Sequence, residues 1–408
     1  MRILLVFQHF YPDNFRINDV AAALAEEGHT VRVLTGLPGY GSPRVPKEYR
    51  WVRRRRESWK GVDIVRVPTL SRRSGVFFRA LNYFSFVIAG WLYARFCRFR
   101  ADAVISCQTS PVLQAIPAIA HKKRTGAPLL LYCCDLWPES LKAWNVGEDS
   151  LLFRAMHRWS RRIYAKADIL AVSSQPFIDY LRKVNGIPVQ RLYYLPQHAE
   201  DVYADISGQY VDNGVFDLLF AGNVGAVQQV DCLIRAAALL PAELPVRLHI
   251  VGGGTERENC RRLADELCVA DRVTFHGAFP LSEMERFYRL ADGFLLSLRG
   301  GDFIGRTLPA KLQGYMGAGK PILASAEGAI PDVIREADCG VCVPAGDAAA
   351  LAAAICEAAA QPALYREKGG NGRRYYEEHF TRQRFMERLD ALLEQMTGGE
   401  VTAEGKGV

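Results

Sequence analysis

The feature that most constrains the fold is a recurring unit of a short apolar strand, a polar or glycine-containing loop and a helix. Its first copy is a strand from Arg2 to Phe7, a loop from His9 to Arg16 and a helix from about Ile17 to Glu27, followed by a strand from Thr30 to Leu34. Strands that alternate with helices form parallel sheets covered on both faces, and ligands meet such sheets at the carboxyl ends of the strands. The sequence therefore predicts an α/β protein with doubly wound, Rossmann-like sheets.

The pattern stops near residue 205 and then begins again. Residues 205–214 are polar, and the next strand, Asp217 to Ala221, ends in a glycine-containing turn. A chain of 408 residues also exceeds what one hydrophobic core usually supports. We expect a first Rossmann-like domain over 1–204, a second over 215–375, a C-terminal helix over 376–397 that packs back toward the first domain, and a flexible tail over 398–408.

Polar residues follow several strands of the first half, at the point where each strand ends. The loops are the one after Phe7 and the segments 108–110, 135–140, 173–175 and 196–198. Because parallel strands end at one edge of a sheet, these loops predict one wall of a binding cleft. Its candidate residues are Asn14, Arg16, Asp135, Glu139 and His198. Asp135 has the alternative of capping the next helix, and His198 that of a structural loop residue.

The segment Ile304 to Ser325 is the main candidate site of the second half. It predicts a helix that starts near Pro309 and ends at Gly317 or Gly319, before a strand from Ile322 to Ala324. The N–H groups of Thr307 and Leu308, with Arg306 before them and Lys311 one turn later, form a helix end suited to phosphate. The alternative is an ordinary helix cap without a ligand. Lys320 is expected at the edge of the strand.

Two glycine turns in the second half point to the same edge. Gly222-Asn223-Val224-Gly225 follows one predicted strand, and Gly252-Gly253-Gly254 follows the next. Glycine lets the backbone approach a ligand closely, although a tight turn alone also explains it.

The charge is divided unequally along the chain. Residues 1–200 hold 30 basic and 15 acidic side chains, whereas residues 201–408 hold 21 and 29, within a total net charge of +7. Fifteen basic residues lie between Arg44 and Arg100, including the run Arg53 to Arg56. This excess indicates an anionic partner for the first half.

The segment Val76 to Phe99 is almost entirely apolar and aromatic. Its uncharged part, Ala80 to Ala94, is shorter than the ~20 residues needed to span a bilayer. Two interpretations stay open: a buried helix, or an interfacial helix beside a polybasic patch. The sequence shows no signal peptide at Met1, and the ten cysteines include only one CxxC, which favours reduced thiols and no metal site. We expect a cytoplasmic protein on the inner face of the membrane, with the anionic surface contacted by 53–100.

Eight segments, spread over residues 1–380, carry a resemblance to a known family. They are YPDNFRIND, GHTVRVLTGLPGY, CDLWPES, YLPQHAED, FAGNVGAVQQVDCLI, HIVGGGTERE, FHGAFP and IGRTLPAKLQGYMGAGKPI. The chain resembles the retaining, nucleotide-sugar-dependent glycosyltransferases of family four, and within them the bacterial capsule, exopolysaccharide and O-antigen enzymes. The resemblance implies the GT-B fold, in which two Rossmann-like domains face each other across a cleft.

The resemblance also implies a division of labour. The C-terminal domain would bind the nucleotide-sugar donor, most simply UDP-linked, and the N-terminal domain a glycan acceptor on a polyprenyl diphosphate lipid. Catalysis would use Asp135, Arg306 and Lys311, with no metal and no cofactor. Acceptor binding would use Asn14, Arg16, Glu139 and His198. Donor binding would use Gly222, Asn223, Gly225, Gln228, Gly252, Gly277, Ala278, Phe279, Arg306, Thr307, Leu308, Lys311 and Gln313.

The chain departs from the family pattern in three places. Asn223 and Gln228 stand where many relatives carry Arg and Lys, so Arg306 and Lys311 must supply the positive charge. Gln313 or Gly314 stands where a ribose-binding glutamate is common. Asp13 to Arg16 replaces a Gly-Gly pair. Alternatives are a nucleotide-sugar epimerase of the same fold and a non-catalytic homologue. A nucleic-acid partner is not expected, because the arginine run adjoins apolar sequence.

Overall fold

The computed structural model describes residues 1–40, 44–50, 53–71, 75–144, 146–199, 201–206, 208–211 and 213–398. The chain divides into two compact units: the first comprises Met1–Leu195 and the chain from Met386 onward, and the second comprises Pro196–Phe385. The first boundary falls before the expected linker, so His198 belongs to the second unit. The expected C-terminal helix over 376–397 is divided between the units. The expected flexible tail lies outside the described residues, apart from Gly398.

The first unit contains an eight-stranded sheet in the order β3-β4-β2-β1-β5-β6-β7-β8. All neighbouring strands are parallel except β3 and β4. The strands are β1 Arg2–Val6, β2 Thr30–Thr35, β3 Arg56–Trp59, β4 Val62–Arg66, β5 Ala103–Gln108, β6 Leu129–Cys133, β7 Ile169–Val172 and β8 Leu192–Tyr194. The helices are α1 Arg16–Glu26, α2 Val76–Phe96, α3 Ile116–Thr125, α4 Leu151–Tyr164 and α5 Pro176–Lys183.

The second unit contains a six-stranded parallel sheet in the order β11-β10-β9-β12-β13-β14. The strands are β9 Phe216–Ala221, β10 Val246–Val251, β11 Val273–Gly277, β12 Gly293–Ser297, β13 Ile322–Ser325 and β14 Gly340–Val343. The remaining helices are α6 Val230–Ala238, α7 Arg257–Glu266, α8 Met284–Leu290, α9 Asp302–Gly305, α10 Ala310–Gly317, α11 Ala329–Ala337, α12 Ala348–Ala360, α13 Pro362–His379 and α14 Arg382–Thr397.

Both sheets have the strand orders of doubly wound folds, as the sequence predicted. The central strands β5, β6 and β7 are buried along their whole length, which is typical of parallel strands covered on both faces. In each sheet, successive strands are added first toward one edge and then toward the other. This direction reverses between β1 and β5 in the first unit and between β9 and β12 in the second. Ligands of open α/β sheets bind beside such reversal points, at the carboxyl ends of the strands.

The arginine run coincides with a hairpin that the sequence analysis did not predict. Arg56 opens β3, which pairs antiparallel with β4 at the edge of the first sheet. Its residues alternate between exposed and half-buried positions. A short, charged edge strand carries little apolar signal, so hydrophobic patterning in the sequence does not reveal it.

The last predicted helix is also interrupted. A C-terminal helix was expected over 376–397, but α13 ends at His379 and α14 begins at Arg382. The hydroxyl of Thr381 accepts a hydrogen bond from the N–H of Arg384 at 3.2 Å, the geometry of a helix N-cap. Local capping by Thr381 therefore starts a new helix where hydrophobic periodicity alone suggests continuity.

Lys320 is fully buried and does not lie at an exposed strand edge as expected. Its ammonium group donates to the carbonyl oxygens of Tyr288, Arg289 and Ala291, at the C-terminal end of α8. These carbonyls have no partner within their helix, and the negative end of the helix dipole favours a cation. Lys320 thus connects the C-terminal end of α8 to the residues directly before β13 by hydrogen bonds.

The apolar helix α2 has two different sides. Tyr83, Phe86 and Val87 are buried, whereas Phe84 and Ile88 are 52% and 60% exposed.

Among the residues that the structure describes, no single helix is long and apolar enough to cross a bilayer. One bent pair, Ala348–Ala360 with Pro362–Thr397 at 104°, meets the length and composition requirement only when the two parts are combined.

Candidate active site

In the second unit, three strand ends are joined by direct backbone contacts. The N–H of Gly222, after β9, donates to the carbonyl of Val251 at 2.9 Å, and the N–H of Gly252, after β10, donates to that of Gly277 at 2.8 Å. Gly252 has φ +148°, and a Cβ there would lie only 1.7 Å from the carbonyl oxygen of Gly222. Close backbone approach therefore requires glycine here, and the predicted residues Gly222, Gly252 and Gly277 come together.

Lys311 lies beside this group of glycines. Its Nζ is 4.1 Å from the centre of the Phe220 ring, and a Cβ on Gly222 would lie 3.1 Å from it. The Nζ atom is buried and forms no hydrogen bond within the described part of the chain. Burial lowers the pKa of Lys311 to about 8. A buried ammonium group without a partner is costly, so this position is suited to a negatively charged ligand.

The loop after β9 contains no charge of its own. The side-chain amide of Asn223 donates to the Oε1 of Gln228 at 3.0 Å, across Gly225. These are the two positions where the sequence lacks the basic residues of many relatives. The two amides pair with each other, which leaves Lys311 as the cation beside Gly222.

The N-terminus of α10 differs in detail from the prediction. The helix begins after Pro309 and ends at Gly317, as expected. However, the N–H of Thr307 donates to the carbonyl of Ile304 at 3.1 Å, because α9 ends just before it. Its N–H is therefore already engaged and not free as expected, whereas a contact of Thr307 with the donor stays a prediction. Arg306 is half-buried in the same turn, and the side chain of Leu308 is buried.

Gln313 is turned into the protein. It is fully buried, and its amide nitrogen, oriented toward its own helix, donates to the carbonyls of Pro309 and Ala310 at 2.9 Å each. The neighbouring Gly314 faces Tyr203, whose ring would lie 3.4 Å from a Cβ at that position. Tyr203 is stacked on Tyr288 with ring centres 4.0 Å apart. A glutamate side chain at Gly314 would meet this stack, which gives a packing reason for its absence.

The turn after β11 has an exposed Ala278 and a half-buried Phe279. The Phe279 ring packs on Phe287 at 5.1 Å and lies 4.6 Å from the guanidinium carbon of Arg286. The backbone from Gly277 to Phe279 thus stands at the same edge as Gly222 and Gly252. The prediction that it contacts the donor base is not tested by these contacts.

A series of hydrogen-bonded side chains, which the sequence analysis did not predict, lies directly before this turn. His249 donates from Nε2 to Asp217 at 2.9 Å, and its Nδ1 is 2.9 Å from Nε2 of His276. Burial acts to raise the pKa of Asp217, but hydrogen bonds from His249 and Asn213 outweigh it and the pKa lies below its usual value. The series connects β9, β10 and β11, and it holds His276 directly before Gly277.

Asp135 marks the corresponding edge of the first unit. It follows β6, is half-buried, and accepts a hydrogen bond from the hydroxyl of Ser110, after β5, at 3.1 Å. Ser110 in turn accepts from the indole N–H of Trp137 at 2.9 Å. Burial raises the pKa of Asp135, against the lowering effect of the Ser110 hydrogen bonds. Ser110 was not predicted as a site residue, although its place after the neighbouring strand was recognised.

The predicted acceptor residues occupy different environments. Asn14 is exposed and Arg16 half-buried, at the start of α1. Glu139 is buried, accepts from the hydroxyl of Tyr180 at 2.6 Å and forms an ion pair with Lys142 at 2.5 Å. His198 is buried against Phe385 with ring centres 5.1 Å apart. Glu139 is thus engaged within the first unit, and His198 packs within the second.

Aromatic rings surround the loop after β1, which was not predicted. The rings of His9 and Phe15 each approach that of Tyr40 to 4.9 Å. The carboxylate of Asp13 fixes this arrangement by accepting from the N–H groups of Gly39 and Tyr40. A small adjoining pocket is lined by residues that include His9, Gly39 and Asn82. The hydrogen bonds that Asp13 accepts are therefore a structural reason why this loop does not contain the Gly-Gly pair of many relatives.

Each half of the chain matches a family model of glycosyl transferases. A family model described as glycosyl transferase 4-like domain matches residues 14–198, and one described as glycosyl transferases group 1 matches residues 215–361. Together they cover most of the chain.

Two curated relatives match shorter segments. One is D-inositol 3-phosphate glycosyltransferase of Thermomonospora curvata, 30% identical over 203 residues, or 47% of this chain and 45% of that protein. The other is a GDP-mannose-dependent alpha-(1-6)-phosphatidylinositol monomannoside mannosyltransferase of Mycolicibacterium smegmatis, 30% identical over 148 residues, or 36% of this chain and 39% of that protein. The matched part of this chain spans less than half of either relative.

Solved structures share the fold over nearly the whole chain. Sucrose-phosphate synthase from Thermosynechococcus elongatus gives a TM-score of 0.76 at 19% identity and covers 97% of this chain and 99% of its own. Anabaena HepE, solved in complex with UDP-glucose, gives 0.69 at 12% identity and covers 97% and 100%. Two Rossmann-like domains of the GT-B class are therefore established for this protein.

The contact between the glycine turns allows a direct test. Replacing Gly252 with alanine places a methyl group against the Gly222 carbonyl in a strained backbone conformation, and we expect a loss of about 3 kcal/mol or more in the free energy of unfolding. Gly253→Ala is the matched control, because its Cβ would meet the Ala278 methyl at an ordinary 3.7 Å. Chemical denaturation followed by circular dichroism measures both. Equal stability of the two variants would contradict the assigned contact.

Proposed function

We propose that this chain transfers a sugar from a nucleotide-sugar donor to a glycan acceptor, because glycosyl transferase family models match both of its halves, at residues 14–198 and 215–361. The observation that carries the proposal is the buried ammonium group of Lys311 beside the glycine turns, which forms no hydrogen bond with any residue that the structure describes. Backbone close to a ligand and one desolvated cation are the features that a diphosphate requires. The second unit is thus the proposed donor domain.

The proposed donor is UDP-linked and carries a hexose or N-acetylhexosamine. The fold is shared with HepE, which was solved in complex with UDP-glucose, whereas the Mycolicibacterium relative is a GDP-mannose-dependent mannosyltransferase. In this proposal the base would lie against the backbone of Gly277 to Phe279, and backbone contacts alone discriminate weakly between bases. The base is therefore the first property to measure.

The proposed reaction retains the anomeric configuration and follows a front-face course. A bond forms between the acceptor oxygen and the anomeric carbon while the bond from that carbon to the diphosphate oxygen breaks. The acceptor proton passes to the leaving diphosphate oxygen. Lys311, Arg306 and the helix end would stabilise the negative charge that develops there, and such pre-organised stabilisation is usually the largest catalytic term. No metal ion or cofactor is part of the proposal.

The first unit is the proposed acceptor domain, and Asp135 its central residue. Its carboxyl group follows β6, next to the end of β5, where Ser110 donates a hydrogen bond to it. It would orient the acceptor hydroxyl or stabilise the positive charge at the anomeric centre. Asn14, Arg16 and the aromatic rings around Tyr40 lie in the adjacent loop, whereas Glu139 would act through its hydrogen bonds. His198 lies in the other unit and is the least supported of the four.

The proposed acceptor is a glycan on a polyprenyl diphosphate lipid, in the synthesis of a bacterial surface polysaccharide such as capsule or O-antigen. It would be met at the inner face of the plasma membrane by a peripheral, cytoplasmic enzyme. The net charge of +15 over residues 1–200 and the exposed apolar residues of α2 support an anionic, lipid-containing partner.

A binding screen with UDP, GDP, ADP, CMP and dTDP tests the proposed activity. A ligand that binds only the folded state raises the melting temperature by mass action. We expect a concentration-dependent increase with UDP, followed by transfer from the matching sugar nucleotide. A preference for another nucleotide would correct the donor base. A folded protein that responds to none would favour the non-catalytic homologue, and conversion of the free nucleotide sugar without an acceptor would favour an epimerase.

Lys311 supplies a second prediction, in which binding and stability change in opposite directions. Lys311→Met should weaken donor binding and turnover by about 2 to 4 kcal/mol. It should leave the melting temperature of the unliganded protein unchanged or higher, because an uncompensated buried charge is removed. Since the charged form binds the diphosphate and the pKa is about 8, wild-type affinity should be full below pH 8 and fall above it. Calorimetric titration from pH 7 to 9 measures this.

The control is Lys368→Met, at a lysine paired with Asp338 on the surface. It should leave nucleotide affinity and its pH dependence unchanged. If Lys311→Met loses stability but keeps nucleotide affinity, Lys311 is a structural residue and the assigned site is wrong.

Asp135 allows donor binding and transfer to be separated. Asp135→Asn preserves the size of the side chain and its contact with Ser110, but it removes the charge. We expect unchanged nucleotide affinity and a loss of turnover of roughly 100-fold or more, in the range found for groups that act on the reacting atoms. Ser110→Ala should give a smaller loss, because it only releases the orientation of the carboxyl group. Equal loss of nucleotide binding in Asp135→Asn would show that the residue is structural.

A further inference from the structure

The exposed large hydrophobic side chains are concentrated on two helices of the first unit. Of the nineteen in the described part of the chain, seven lie on α2 and three on α4. Isolated exposed apolar residues are ordinary in soluble proteins, but a concentration of this kind marks an interaction surface. The α2 helix was singled out by the sequence, whereas α4 was not.

The two helices belong to one layer of the first unit. Both pack against the short helical turn Val112–Ala115 that follows β5. The inner sides of both helices enter the same hydrophobic core, through Phe86 of α2 and Phe153 of α4. Their outer sides therefore face solvent on the same side of the sheet, and we refer to the exposed residues of the two helices together as the α2–α4 surface.

The outer side of α2 is apolar along its whole length. Phe77, Phe84, Ile88, Trp91 and Phe96 are 69%, 52%, 60%, 43% and 73% exposed. The charged residues of this 21-residue helix are only Arg79 and Arg95, near its two ends. A helix that keeps one side in the core cannot enter a bilayer fully, but its other side can lie in the interface.

The outer side of α4 combines apolar and basic residues. Leu151, Leu152 and Trp159 are 79%, 54% and 51% exposed. Four exposed arginines lie on the same side, at positions 154, 158, 161 and 162. Within the described residues none of the four forms an ion pair with a carboxylate. These cations are therefore available to an anionic partner.

We propose that the α2–α4 surface docks the first unit on an anionic lipid bilayer, with α4 as a second membrane contact beside α2. Exposed Trp and Phe side chains with arginines around them match the boundary between acyl chains and anionic headgroups, where apolar bodies insert and guanidinium groups stay in the polar layer. A second copy of this chain would bring the same arginines to the surface, and like charges would repel.

The surface has a defined position relative to the acceptor residues. The α2 helix begins after the carboxyl end of β4, and α4 begins after that of β6, so both start at the edge of the sheet where Asp135 and Ser110 lie. Phe77 and Leu151 are thus at this edge. A docked first unit would hold its acceptor loops close to the headgroup layer, where the diphosphate of a lipid-linked glycan is found. This orientation rests on the proposed function; the docking itself does not.

Vesicle flotation of the full chain tests the docking. Wild type should float with vesicles of equal parts phosphatidylglycerol and phosphatidylethanolamine, float far less with phosphatidylcholine, and dissociate progressively as salt is raised. Leu152→Ser/Trp159→Ser on α4 and Phe84→Ser/Ile88→Ser on α2 should each lower the partition coefficient about tenfold or more. Val189→Ser/Leu239→Ser is the matched control, because these residues are 51% and 57% exposed elsewhere.

Charge reversal separates the basic from the apolar contribution. Arg154→Glu/Arg158→Glu should abolish the preference for anionic vesicles, whereas Arg182→Glu/Arg335→Glu, with the same charge change at other exposed sites, should retain it. If the α4 variants float like wild type while replacement of Arg53 to Arg56 alone releases the protein, the α2–α4 surface is not the contact. If wild type is a dimer without lipid and Phe84→Ser/Ile88→Ser is a monomer, the surface is a self-association interface and the proposal is overturned.

The outcome is independent of the proposed activity. Nucleotide binding of each variant is measured by thermal shift in the absence of vesicles, which also shows that the variant is folded. A protein that binds nucleotide but no vesicle refutes the docking alone. A protein that binds anionic vesicles but no nucleotide refutes the donor site alone.

Discussion

The ammonium group of Lys311 is buried, forms no hydrogen bond within the described part of the chain, and lies directly against the glycine turn at Gly222. Its place depends on Gly222, where a side chain would crowd the Nζ atom. Gly222 in turn is fixed by Gly252, which must be glycine because the two backbones are in contact. In the unliganded protein this charge reduces stability, since burial lowers the pKa of Lys311 to about 8 while the unfolded chain keeps its usual pKa. A bound diphosphate would offset that cost, so stability and binding are coupled at one atom.

The two units use polar groups differently. The second unit keeps a cation unpaired and pairs its neutral amides, Asn223 with Gln228. The first unit pairs its predicted groups internally: Asp135 with Ser110, and Glu139 with Tyr180 and Lys142. Among its described residues, the four arginines on the outer side of α4 form no ion pair with a carboxylate. An arrangement of this kind suits a first unit that recognises a lipid-linked glycan through loops and surface, and a second unit that binds a small, strongly charged ligand in a fixed site.

The sequence predicted those features that depend on local pattern. Apolar strands with glycine or polar residues at their ends indicated both sheets, and the joined turns at Gly222, Gly252 and Gly277 follow from that order. Features that depend on tertiary contacts could not be predicted. The N–H of Thr307 is used by the short helix α9, Lys320 is buried under α8, and Gly314 faces the stacked rings of Tyr203 and Tyr288. The exposure of α2 and α4 likewise required the core to be known, because the inner and outer sides of α2 are both apolar.

The measurement that tests the central claim most directly is a crystal structure of the protein with a bound nucleoside diphosphate. We predict that the diphosphate oxygens lie within hydrogen-bonding distance of the Lys311 Nζ, over the turn that starts at Gly222, with the base beside the backbone of 277–279. A nucleotide bound at another place, with Lys311 still buried and without an anion, would contradict the assignment of the donor site.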